Sequence, residues 1–285
     1  MKSQEIKVVC SDGFSLAATI YFPKERLNAA IMIAPATGIK RQFYNSFATF
    51  LAENNYGVIT FDNRGIAESG GKNLNDVNAS LINWGKLDMT AVLKSLKEKF
   101  PNSKYHIVGH SAGGQLVGLM DNIKEVSSIF NFGCSSGSIH NASFPFVFKS
   151  LFFLKGVIPI SNLLFGHTKS QWFGMGEPLP KKVAAQWSKW CSGKGYVAVD
   201  FGKEIKHHQY NEITIPTIWY HASDDEIANI ANVKDMTRVF KNAKVEIVTL
   251  HPTDFGFKDL GHMKFFSSKR KVLWKYALEW FDKFK

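Results

Sequence analysis

The spacing of hydrophobic and polar residues changes repeatedly along the chain. Residues 6–10 and 15–21 have strand-like patterns on either side of Ser11-Asp12-Gly13, and so short a connection predicts an antiparallel hairpin. Residues 29–34 form an unbroken apolar run, the pattern of a central strand buried on both faces. Helical spacing follows over 43–54, through Phe47, Phe50 and Leu51, and then a strand-like run over 57–61. Residues 82–100 read as a helix stopped by Pro101, 105–108 as a strand, 112–120 as a helix and 126–132 as a strand. This alternation predicts βαβ units, hence an α/β fold around a mostly parallel, doubly wound sheet.

The rhythm stops near Ser135. From there to Tyr210 the chain is rich in Phe, Trp, Pro and Gly and has no regular βα period. Alternation resumes with a strand over 214–220, a helix over 233–240, a strand over 245–250 and an amphipathic closing helix over 268–284. The predicted organisation is a core of residues 1–134 and 211–285, with residues 135–210 inserted after the sixth strand. That insertion is expected to form a lid (cap) over the C-terminal edge of the sheet, where ligands bind in doubly wound folds. Residues 144–160 are its most aromatic and apolar stretch. Lys149 and Lys155 interrupt that stretch and Pro159 is expected to break it, which argues against a membrane-spanning helix.

Charge and cysteine content narrow the function classes. Lys and Arg total 35 against 24 acidic residues, a net charge of +11. A basic balance suits nucleic acid or an anionic membrane surface. The lysines are scattered, arginine is scarce, and no helix-turn-helix, zinc-finger or RRM signature is present, so no nucleic-acid partner is expected. Cys10, Cys134 and Cys191 suit neither a disulfide framework nor a zinc site, and no metal or organic cofactor is expected. Residues 1–7 show no apolar leader pattern, which makes the cytoplasm the expected location.

The strongest chemical signature is Gly109-His110-Ser111-Ala112-Gly113, a G-x-S-x-G between a predicted strand and a predicted helix. A nucleophilic serine there sits on a tight, strained turn that exposes its hydroxyl. Strand and helix crowd together at such a turn, so Gly109 and Gly113 must be small. A serine hydroxyl needs a base, and in this arrangement the chain order is Ser, then acid, then His. His262 lies in a loop after the last strand, and such a loop can reach back over the strand ends. His251, which ends that strand, is the alternative. His140, His167, His207 and His208 lie in the insertion, and His221 precedes the acid. The acid is expected in the segment after the seventh strand, where Asp224 and Asp225 are adjacent and only one can face the histidine. Asp259, only three residues before His262, is a less favoured competitor. Oxyanion donors are expected from the backbone N–H of Ala112 and from the loop Pro35-Ala36-Thr37-Gly38, at Thr37. A second signature, Asp62-Asn63-Arg64-Gly65, reads as a tied-down loop with Arg64 as its anchor.

With these motifs in place, the chain resembles the α/β-hydrolase superfamily. More narrowly, it is similar to a bacterial family of predicted α/β-hydrolases related to monoglyceride lipase-like and serine aminopeptidase-like enzymes. The matching pieces are Pro35-Ala36-Thr37-Gly38 with Phe43-Tyr44, Asp62-Asn63-Arg64-Gly65, Trp84-Gly85 with Asp88, Gly109 to Gly114, Ser223-Asp224-Asp225, and Gly261-His262 with Phe265-Phe266. Relatives carry His-Gly-x-Gly after the third strand, where this chain has Pro35-Ala36-Thr37-Gly38. Their acid loop reads Asp-Pro-x-x-Pro. Asp225 to Asn229 fits that register with both prolines missing, so the resemblance implies Asp225 as the acid. It further implies a serine hydrolase that cleaves a small-molecule carboxylic ester or thioester through an acyl-enzyme. The apolar insertion suggests a lipid-like acyl group and transient membrane-surface contact. An acyltransferase, an amide hydrolase and a non-catalytic binder on the same fold are the rival expectations.

Overall fold

The structure, a computed structural model, describes residues 2–285. Its centre is an eight-stranded sheet. The strands are β1 Ser3–Val9, β2 Ser15–Tyr21, β3 Ala29–Ala34, β4 Tyr56–Phe61, β5 Tyr105–His110, β6 Ser128–Phe132, β7 Pro216–Ala222 and β8 Lys244–Leu250. Their order across the sheet is β1-β2-β4-β3-β5-β6-β7-β8. β1 and β2 form the expected hairpin, β2 also pairs antiparallel with β4, and every other pairing is parallel.

Period-two alternation puts the core on both faces. In β3, Ala30, Met32 and Ala34 join one apolar cluster, while Ala29, Ile31 and Ile33 join the other. Burying a branched side chain such as Ile31 or Ile33 is worth about 1.5–3 kcal/mol. The helix Asn45–Glu53 and the closing helix Trp274–Phe281 cover one face, with Phe47 against Trp274 at 5.5 Å. The helix Thr90–Lys99 covers the other, and buried residues of segment 135–210, among them Leu154 and Trp190, join that side. Strand order reverses between β3 and β5, so the loop after β3 and the turn after β5 open side by side.

The closing helix expected over 268–284 is α-helical only over Trp274–Phe281, with 3₁₀ turns on either side. Two further expectations need correction. The helix expected over 112–120 is only Ala112–Gln115, followed by a 3₁₀ turn, Val117–Leu119. The backbone there is pressed against a neighbour, since a Cβ at Gly118 would stand 2.4 Å from the Tyr210 ring. The second correction concerns Pro159, which does not break the apolar run. One helix continues over Phe146–Phe165, long and apolar enough by length and composition to cross a membrane. A π-turn over Phe152–Val157 widens it just before the proline, and such a turn absorbs a missing N–H without ending the helix. Its inner side packs into the protein through Phe153, Leu154, Val157 and Ile158. Its outer side leaves Phe152 64%, Ile160 59%, Leu163 83% and Leu164 67% exposed.

Candidate active site

β5 runs directly into the turn that carries Ser111, and crowding dictates the residues around it. A Cβ on Gly113 would lie 2.0 Å from the Ala34 carbonyl oxygen, and one on Gly109 would lie 2.4 Å from Asn131 Oδ1. Ser111 adopts φ 49 and ψ −117, a backbone conformation that costs a non-glycine residue about 1–3 kcal/mol. That strain lifts its hydroxyl out of the strand end. The N–H groups of Gly114 and Gln115 close the turn by donating to the Ser111 carbonyl at 3.1 and 3.2 Å.

The Ser111 hydroxyl meets His262 Nε2 at 3.0 Å, and His262 Nδ1 meets Asp225 Oδ2 at 2.8 Å. His262 therefore accepts from the serine while donating its Nδ1 proton to the carboxylate. The other oxygen of Asp225 accepts from the N–H groups of Ile227 at 2.9 Å and Ala228 at 2.8 Å. Burial pushes the Asp225 carboxyl up, but His262 and these two N–H donors outweigh it and hold the group below its ordinary value. Asp224 points elsewhere and accepts from the N–H groups of Leu260 at 2.9 Å and Gly261 at 3.0 Å, fixing the loop that delivers His262. Asp259 pairs with Lys264 at the surface, and His251 is exposed at the end of β8.

Sequence reasoning missed a second relay behind the first. The Ala36 N–H donates to the Tyr44 hydroxyl at 2.9 Å, which reaches His110 Nδ1 at 2.8 Å, and His110 Nε2 reaches the His262 carbonyl at 3.1 Å. Donor order along the chain places the His110 proton on Nε2. Burial, then the nearby His262, push the His110 pKa down to about 3, so the ring stays neutral. The β3 loop, the serine turn and the histidine loop are thus tied through one buried imidazole. The middle residue of Gly-His-Ser was the only signal available for it, and nothing in one sequence shows what that ring touches. Arg64 ties down its loop as expected, with Nε on Asp88 at 2.6 Å and NH1 on Asp12 at 2.5 Å.

Thr37, Ser111 and His262 open into a cavity of about 320 Å³. Its far wall comes from segment 135–210, through Phe146, Phe153, Leu154, Met175, Trp187 and Tyr196. The N–H groups of Thr37 and Ala112 have no backbone acceptor among the described residues. A hydroxyl, an imidazole and a carboxylate in series beside two free N–H donors can activate an oxygen nucleophile and hold a developing oxyanion.

Comparison with known proteins gives the fold its name. Residues 25–124 match the sequence model of the family described as serine aminopeptidase, S33. That stretch includes Ser111 but neither Asp225 nor His262. No curated protein sequence matches the chain significantly. Among solved structures, a highly thermostable carboxyl esterase from Bacillus coagulans is similar at TM-score 0.67 and 13% identity, covering 100% of this chain and 99% of that one. An esterase of Pyrococcus furiosus matches at TM-score 0.64 and 15% identity over 99% of this chain and 93% of its own. A thermophilic esterase from Thermogutta terrifontis matches at 0.57 and 12% over 98% of each chain. The chain has the α/β-hydrolase fold.

Proposed function

We propose that this α/β-hydrolase-fold chain is a serine esterase that cleaves a carboxylic ester or thioester with an apolar acyl group. The observation that carries the reading is the strained Ser111, its hydroxyl 3.0 Å from His262 Nε2, at the floor of a cavity walled by apolar side chains. Ser111 Oγ attacks the acyl carbonyl while His262 Nε2 takes its proton. The N–H groups of Thr37 and Ala112 hold the oxyanion. His262 then returns the proton to the leaving oxygen or sulfur, and the acyl group stays on Ser111 until water, deprotonated by His262, releases it. Asp225 stays ionised, fixes the His262 tautomer and balances the imidazolium. Solved structures of like fold that are named as esterases support ester chemistry.

Residues 135–210 act in this reading as a lid that shapes the acyl pocket. Phe146, Phe153, Leu154 and Trp187 face the cavity, and each methylene they bury favours a longer chain by about 0.8 kcal/mol. One further observation extends the reading to a membrane surface. The outer side of helix Phe146–Phe165 presents Phe148, Phe152, Leu163 and Leu164 beside exposed Lys155, while Lys149 lines the cavity. Apolar residues beside a lysine on one helix side suit an anionic bilayer interface.

A panel of p-nitrophenyl esters of increasing chain length, run on wild type and Ser111→Ala with a fluorophosphonate probe alongside, tests this. Wild type labels with the probe, and its kcat/KM rises from acetyl toward medium chains, while Ser111→Ala does neither. Ordinary turnover by Ser111→Ala removes the nucleophile from the proposal. Acetyl as the best substrate removes the apolar acyl pocket. Ester product appearing in place of acid when alcohols are added would redirect the reading to acyl transfer.

A further inference from the structure

The loop that carries Thr37 is held from the core and from segment 135–210 alike. On the core side, the Ala36 N–H donates to the Tyr44 hydroxyl at 2.9 Å. Within the loop, the Ile39 N–H donates to the Ala36 carbonyl at 3.1 Å, closing a turn in which Gly38 takes φ 72. From the other side, the Glu177 N–H donates to the Gly38 carbonyl at 2.7 Å. That approach requires a residue without a side chain just before Glu177. A Cβ at Gly176, which sits at φ 80, would stand 2.3 Å from the Gly38 carbonyl oxygen. Glu177 is itself held, because the buried Ser170 donates its hydroxyl to the Glu177 carbonyl at 2.5 Å and accepts the Met175 N–H on its own carbonyl at 3.2 Å. Thr168 and Leu179 pair across the base of this loop.

The two backbone bonds form a single series. A trans peptide is planar, so its C=O and its N–H point in opposite directions. The Gly38 carbonyl and the Ile39 N–H belong to one such peptide, and the Ala36 carbonyl and the Thr37 N–H to another. The Glu177 N–H therefore holds the carbonyl of the first peptide. The N–H of that peptide holds the carbonyl of the second, and the N–H of the second is that of Thr37. There the series ends, since the Thr37 N–H has no backbone acceptor among the described residues and Thr37 lines the cavity with Ser111. Every bond runs in the same sense from donor to acceptor, so each peptide polarises the next.

We propose that Gly176 and Glu177 are positioning residues for the oxyanion site: the peptide series headed by the Glu177 N–H aims and polarises the Thr37 N–H toward the substrate oxygen that becomes negative when Ser111 attacks. This rests on the esterase reading of the same site, in which Thr37 is an oxyanion donor. No group of the series gives up a proton, and the one proton that moves is the serine's, through His262. The two oxyanion donors are then supported differently. The N–H of Ala112 takes its direction from the serine turn alone, whereas that of Thr37 depends on a bond from residue 177, in the segment that walls the cavity. Segment 135–210 thus enters the reaction through the backbone, besides shaping the pocket.

Gly176→Ala pushes a methyl group against the Gly38 carbonyl oxygen and tests the series. With active enzyme counted by fluorophosphonate titration, kcat for a p-nitrophenyl ester is expected to fall about 10- to 100-fold, less than for outright loss of an oxyanion donor, with KM within about two-fold. Affinity for a trifluoromethyl ketone carrying the same acyl chain should fall by the same factor, because that adduct reproduces the tetrahedral oxyanion. Gly202→Ala is the control. Gly202 lies in the same segment at φ 74 with nothing within 4 Å of an added Cβ, so it carries the backbone strain without the contact. It should keep wild-type kcat and ketone affinity. Wild-type kcat and ketone affinity in Gly176→Ala overturn the proposal, as does an equal loss in Gly202→Ala or a kcat loss that leaves ketone affinity intact. If Gly176→Ala does not fold, replacing Glu177 by its α-hydroxy acid analogue removes the N–H and keeps the side chain. A parallel fall of about two- to ten-fold in kcat and ketone affinity then supports the proposal, and unchanged values overturn it. Wild type run alongside separates the two possible failures. A wild type without turnover or fluorophosphonate labelling defeats the esterase reading and the positioning role with it, whereas an active wild type with an equally active Gly176→Ala defeats the positioning role alone.

Discussion

The two sides of the cavity are constructed differently. On the sheet side, polar groups stand in fixed series. Ser111, His262 and Asp225 are linked at 3.0 and 2.8 Å, Asp225 is braced by two N–H groups, and His110 ties the loops together from behind. On the insertion side, apolar side chains do most of the work. Helix Phe146–Phe165 turns Phe153 and Leu154 inward and leaves Phe152 and Leu163 outside. Hydrogen bonds have strict geometry and apolar contacts do not, so the sheet side fixes directions while the side formed by residues 135–210 fixes shape and volume.

The sharpest test of this division is Ser111→Ala. Turnover should fall on the order of a million-fold while the melting temperature and any vesicle binding stay as in wild type. Vesicle binding lost together with turnover would mean that the two sides are not separable. Next in size is the pair of adjacent aspartates. Asp225→Asn should cost about 10⁴-fold in kcat, because an amide facing His262 Nδ1 favours the wrong tautomer. Asp224→Asn should cost about ten-fold or less, since Asp224 only holds the Leu260 and Gly261 N–H groups of the histidine loop. The reverse ranking would assign the acid to Asp224.

Stability against pH should also divide the molecule. Burial, then Lys104, push the His106 pKa down to about 4, and burial, then His262, push His110 down to about 3. In the unfolded chain both would titrate near ~6.5. Between about pH 6.5 and 4 the unfolded state therefore binds more protons than the folded one. The stability from these neutral histidines is complete above pH 6.5 and is lost as pH falls toward the folded pKa values. The slope is about 1.4 kcal/mol per pH unit for each histidine. Urea midpoints at pH 7.5 and pH 5 measure it. His106→Gln should remove about one histidine's share of the slope. An unaltered slope in His106→Gln would place the acid sensitivity elsewhere. The smallest effect on catalysis is expected at the outer face. Leu163→Asp with Leu164→Asp should leave kcat/KM for a soluble ester within about two-fold, as surface substitutions usually do. The same variant should no longer sediment with anionic vesicles. Retained sedimentation would remove the membrane-surface reading.

Local signals carried most of the fold. The apolar run of β3, the 11–13 turn and the crowding around Gly109 and Gly113 depend on neighbours a few residues away, so their period and residue type could be read directly. The insertion was less legible. Its apolar residues face both inward and outward, which leaves no clean period. The π-turn that carries the helix past Pro159 is a backbone adjustment without a residue signature.

By itself the sequence determined a doubly wound α/β core, a serine held between small residues, and a short set of candidate partners for it. Tertiary structure decided what depended on direction across long separations. It turned Asp225 toward His262 and Asp224 toward the backbone of Leu260, although the two are neighbours in the chain. It put His110 between Tyr44 and the His262 carbonyl, 152 residues away. The reason is physical: residue type and spacing fix which groups are available and which local backbone they favour, but the direction of a side chain is set by what packs around it, and that is known only once distant segments have met.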